Sequence, residues 1–147
     1  MSETFSEYPA ILPARRPDGD NALLLLFAIR RVAAGGLNDA HAASAFIGHF
    51  GLGYRRPLVL LRALMAEMSR VSRLKIMVAP CCCPRMTAAE AAVLKAVTTA
   101  VADPYGAHDL LVATLGVANC LGALSSAQAL GQAFADLGRP LADQPLP

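Results

Sequence analysis

The stretch from Arg55 to Arg73 constrains this chain more than any other. At 100° per residue, Leu58, Leu60, Leu61, Leu64, Met65, Met68 and Val71 fall on one face, and Arg55, Arg56, Arg62, Ser69, Arg70 and Arg73 on the other. A helix divided in this way buries one side only, so further helices must cover it. Pro57 suits its first turn, and the periodicity carries to about Arg73.

The rest of the chain supplies the partners. Asp18 or Asp20 is placed to cap a first helix that runs to Ala34 before Gly35-Gly36. Its opening turns, Leu23 to Phe27, are apolar all round, which predicts a central position, and Arg30 and Arg31 fall where they complement the dipole of the last turn. Asn38 can cap a second helix through Phe50, closed by Gly51 and Gly53. Thr87-Ala-Ala-Glu90 is a capping-box pattern that starts a fourth helix, to about Ala102. Asp103-Pro104 opens a fifth, weakened at Gly106 and ending near Val117, and Ser125-Ser-Ala-Gln128 reads as a second capping box for a sixth that stops at Gly138, ahead of Pro140. Six helices without a set of strands predict an all-α, single-domain bundle over 18–138. Prolines and the lack of periodicity mark 1–17 and 139–147 as irregular tails.

Composition bears on partners and compartment. The chain has 147 residues, 55% of them hydrophobic and 16% charged, with a mean hydropathy of +0.44. So little polar residue covers a monomer poorly, which predicts a homodimer or a protein partner. The apolar runs Ala22–Ile29 and Leu110–Leu124 fall short of the ~20 residues that a membrane span needs, so no membrane association is expected. Met1 to Glu7 is acidic where a signal peptide is basic, which points to the cytoplasm and to reduced thiols.

The pairing of Arg56-Pro-Leu-Val-Leu-Leu-Arg-Ala-Leu-Met-Ala-Glu67 with Ala79-Pro-Cys-Cys-Cys-Pro-Arg-Met86 resembles a family of small uncharacterised proteins from sphingomonad-type alphaproteobacteria. The resemblance covers roughly 20–138 and implies a domain of unknown function, with no activity attached.

Chemistry concentrates in the proline-clamped connector between the third and fourth helices. Residues 55–85 carry six arginines and a lysine against Glu67 alone, and they lead into Cys81-Cys82-Cys83. The pre-proline positions Ala79 and Cys83 favour extended backbone, which would turn Cys81 and Cys83 to one side and Cys82 to the other. Cys83, next to Arg85 and ahead of a helix start, is the expected reactive thiol. Candidate metal ligands are Cys81, Cys83, Cys120 and His108, for Zn or, with the Met86 thioether, Cu(I). The bland reading, which carries more weight, is that these cysteines pack as small hydrophobes.

Other candidates are thinner. His41 and His49, about 80° apart around one helix, read as surface or helix-end side chains. Arg55, Arg62, Arg70 and Arg73 form a basic face, but no aromatic platform accompanies it and the helix start carries Leu58 to Leu61 in place of base-reading groups, which argues against nucleic acid. No phosphate loop, nucleophile elbow or zinc-protease motif occurs, so no catalytic residue and no cofactor are assigned. These features point away from an enzyme and towards a protein that acts by association, with metal binding or thiol redox chemistry at Cys81–Cys83 as the alternative.

Overall fold

The computed structural model describes residues 12–142; of the expected tails at 1–17 and 139–147, residues 1–11 and 143–147 lie outside the described residues. Six α-helices make the body: α1 (Asp20–Gly35), α2 (Ala40–Phe50), α3 (Arg55–Val71), α4 (Ala88–Thr99), α5 (Pro104–Leu115) and α6 (Leu121–Asp136). A short 3-10 turn, Gly51–Gly53, links α2 to α3. The all-α expectation holds, with one addition. Ala14–Arg15 (β1) pairs antiparallel with Arg85–Met86 (β2), and Arg16 N–H extends the pairing to Pro84 O at 3.0 Å. Two-residue strands are too short for a period-two pattern to show.

The amphipathic helix sets the packing as its pattern demands. Leu58, Leu61, Leu64 and Met68 of α3 are buried, and α3 lies along α6. Helices α4 and α5 pack closely together and both touch α6, and α1 bridges α2, α3 and α4. Close approach between α4 and α6 depends on Gly131, where a Cβ would stand 2.7 Å from Val97 O. At the far end Phe46, Phe50 and Phe134 meet edge to face, with centroids 5.0–6.0 Å apart, in the geometry that aromatic quadrupoles favour.

Several helix ends differ from expectation for local reasons. Gly19 is the N-cap of α1 and no side chain caps it, while Asp20 sits in the first turn, where its charge still suits the dipole. Asp39 rather than Asn38 caps α2, accepting from Ala42 N–H at 2.9 Å. The third helix starts two residues ahead of Pro57 and stops at Val71. Asp103 does cap α5, through Gly106 N–H at 3.0 Å, and a Cβ at Gly106 would strike that carboxylate. Ser125 to Gln128 is not a cap. Gly116 ends α5 in the left-handed region, at φ +69°, and α6 starts early behind Cys120, so the serines fall inside the helix.

Candidate functional site

The site is built around an arginine that the periodicity places in the last turn of the first helix. Arg30 lies five residues before the end of α1 at Gly35, ahead of the last turn, and is only 3% exposed, with no basic residue in the last turn. Its guanidinium donates through Nε to Glu90 Oε2 at 2.7 Å and through Nη2 to Glu90 Oε1 at 3.1 Å. The remaining donors reach Cys83 O and Arg85 O, both at 2.8 Å. Glu90 is 1% exposed and is held in turn by the capping box: Thr87 N–H donates to Oε1, and Glu90 N–H donates to Thr87 Oγ1. A buried ion pair of this kind is tolerated because every polar atom is matched. The Thr87 hydroxyl then donates to Met77 O at 2.6 Å, which ties the loop ahead of the cysteines to the same node.

The cysteines sit on top of this node in a turn. Cys83 N–H closes on Pro80 O at 3.1 Å, so the run is folded and the alternation expected of an extended strip does not apply. Cys81, Cys82 and Cys83 all line one depression of about 290 Å³, together with Arg16, Leu23, Phe27 and Arg30. Cys82 is exposed and the other two are half-buried. Burial, followed by the neighbouring Cys82 thiol, pushes the Cys81 thiol up from its ordinary value, while Arg31 and Arg30 pull it down. The groups expected to activate Cys83 are engaged elsewhere. The Arg85 guanidinium donates to Leu12 O at 2.7 Å and Pro13 O at 2.9 Å, and the start of α4 is closed by Thr87.

The remaining candidates do not join this cluster. Cys120 is buried, which raises its pKa, and its N–H donates to His108 Nε2 at 3.1 Å. His108 therefore accepts a helix-start hydrogen bond from beside Cys120, and no residue of α5 or α6 lines the cysteine depression. Met86 is in the core. Among the described residues, no group of three or more His, Cys, Asp or Glu side chains converges as a metal site would. His41 is exposed, whereas His49 is half-buried and meets Asn21 Oδ1 at 2.7 Å.

The basic face of α3 is divided. Arg70 pairs with Glu67 at 2.7 Å and holds that carboxylate below its usual range, and Arg56 pairs with Asp136 at 2.8 Å. Arg55 lies over the Tyr54 ring at 6.0 Å, Arg73 is exposed, and Arg62 Nε is shut off from solvent with no hydrogen-bond partner among the described residues.

What the periodicity alone does not show is a groove beside the cysteine turn. It holds about 300 Å³ and is lined by Ile29 from α1, Met65 and Met68 from α3, Val93 from α4, and Leu74, Ile76 and Val78 from the connector. Through Ala33, Met65 and Ser69 it continues into a second hollow of about 480 Å³ that reaches Leu37. Alternation at Leu74, Ile76 and Val78 was the available signal.

A family model matches residues 3–139, nearly the whole chain. The chain belongs to DUF6628, a family of unknown function. Comparison with curated proteins and with solved structures finds no match. Membership in DUF6628 agrees with the resemblance to an uncharacterised family, and neither carries an activity. Among the described residues of this DUF6628 chain, no helix is long and apolar enough to cross a membrane.

Proposed function

We propose that this protein acts by association, and that the apolar groove between α1, α3 and α4 receives a second copy of the chain. The observation that carries the reading is the continuity of the two hollows, which together make an open apolar channel edged by Leu74, 53% exposed, and Leu37, 42% exposed. Contiguous apolar surface of this kind on a small protein marks an interaction site. Methionines suit such a surface because their side chains adapt to what they meet. The argument for a second copy comes from composition. A mean hydropathy of +0.44 leaves the monomer short of polar cover, and a second copy brings the same apolar patch to the groove. A twofold contact would bury the same patch on both chains. The reading is of a non-enzymatic protein that works in the cytoplasm, where its four cysteines stay reduced.

Light scattering and sedimentation across a concentration series test it. The expected result is a dimer that Met65→Glu with Leu74→Glu converts to a monomer, with an unchanged helical circular dichroism spectrum. A strict monomer at high concentration, or a dimer indifferent to both substitutions, overturns the reading.

A further inference from the structure

We propose that Cys81 and Cys82 form a two-thiol site for a soft monovalent metal ion of the Cu(I) type, seated in the depression beneath the Pro80–Cys83 turn. The inference does not depend on how the apolar groove is used. The turn closed by Cys83 N–H on Pro80 O makes Cys81 and Cys82 its two central residues, and both line the same depression. Structural zinc takes four donors and calcium six or more, whereas no set of three converges among the described residues. A soft d10 ion that accepts two thiolates is the metal that this donor set fits.

The surroundings supply what such a complex needs. Leu23, Leu26 and Phe27 give the depression an apolar wall that offers no hard oxygen donor to compete with the thiols. Binding replaces two S–H protons with one metal ion: Cu⁺ and two thiols give a bis-thiolate complex of charge −1 and two released protons, with no change of oxidation state. Three arginines lie around the site. Arg16 and Arg30 line the depression, and Arg31 lines the adjoining hollow with Cys81. Arg30 and Arg31 are engaged by Glu90 and Asp39, and Arg16 makes no ion pair among the described residues. Because protons and metal compete for the thiolates, binding weakens as pH falls.

The test titrates the full-length, fully reduced protein, without oxygen, with Cu(I) held by the chromophoric chelator bicinchoninate. The expected result is that the protein withdraws a single equivalent, that Cys81→Ser and Cys82→Ser each abolish the transfer, and that Cys83→Ser and Cys120→Ser leave it intact. Arg16→Ala, outside the ligand set, is expected to weaken the apparent affinity roughly 10-fold or more, as loss of an outer-shell partner does. Circular dichroism of each variant shows whether the helices persist. Failure to withdraw Cu(I), retention of a full equivalent by Cys81→Ser or Cys82→Ser, or loss of binding in Cys83→Ser overturns the two-thiol assignment.

Discussion

Arg30 clasps Glu90 with two hydrogen bonds across sixty residues of sequence, and the same guanidinium holds the carbonyls of Cys83 and Arg85. One side chain thus joins α1, the cysteine turn, β2 and the start of α4. Removing either partner strands a buried charge, which costs about 3–5 kcal/mol. Arg30→Ala and Glu90→Ala are therefore expected to lower urea-unfolding stability by that order. The paired change Arg30→Met with Glu90→Leu should cost less than the two single changes added together, because no charge is left alone. A loss below about 0.5 kcal/mol in either single variant, the level of a surface change, would contradict the clasp.

Two helical glycines, Gly48 in the last turn of α2 and Gly131 inside α6, should respond to alanine with opposite signs. Nothing lies within 4 Å of a Cβ built at Gly48, which is exposed in α2, so Gly48→Ala should gain about 0.5–1 kcal/mol from helix propensity. At Gly131 the same Cβ meets Val97 backbone oxygen at 2.7 Å, and backbone cannot swing aside as a side chain can. Moving α4 and α6 apart loosens a packed core, an expected net loss of about 1–3 kcal/mol. Thermal melts of the two variants check the pair, and equal shifts would show that the helices do not touch at Gly131.

Which parts of this fold can be read from sequence follows from the reach of each interaction. The Thr87–Glu90 capping box and the Asp103 cap are legible because both partners lie within three residues of each other. The buried face of α3 is legible because burial imposes the helical period on its leucines. Ser125 to Gln128 has the spacing of a cap but lies inside α6, where Gln128 instead donates to Ala100 O from the middle of the helix. The Arg30–Glu90 clasp joins residues with no local relation, and the one hint is a charge that follows opening turns, Leu23 to Phe27, that are apolar all round. The cysteine alternation fails for a similar reason: proline restricts its predecessors to extended backbone, but the hydrogen bond from Cys83 N–H to Pro80 O folds the run. The groove needs three helices and a connector to meet, which no single segment encodes.

Stability should fall on mild acidification through His49. Burial, then Arg139, lowers its pKa from the ordinary 6.5, while Asp20 raises it slightly. The folded state thus binds the proton less readily than the unfolded chain, and the contribution of neutral His49 is full above about 6.5 and is lost as pH falls through the lower folded value. Asn21 Nδ2 donates to Pro140 O, so Asn21 Oδ1 accepts from His49 Nε2–H; both protonation states of the ring can make that bond, and the shift comes from burial and Arg139. Urea midpoints measured from pH 7.5 to pH 5 should decline in the wild type and decline less in His49→Gln. Parallel slopes would assign the effect to other groups.

Thiol reactivity should rank the cysteines by what covers them. Cys82 is exposed in its turn, whereas Cys120 is 5% exposed beneath α5 and α6, with its thiol pKa raised by burial. Alkylation requires thiolate at the surface, so both the pKa and the burial slow Cys120. Brief iodoacetamide treatment of the reduced native protein at pH 8, read by peptide mass spectrometry, should modify Cys82 first and leave Cys120 unmodified until denaturant is added. Cys81, held up by burial and by Cys82, should follow Cys82, and its rate should fall further in Arg31→Ala, which removes a positive charge that favours its thiolate. Modification of Cys120 as fast as Cys82 would mean that the start of α6 opens readily, which the Cys120 N–H bond to His108 Nε2 opposes.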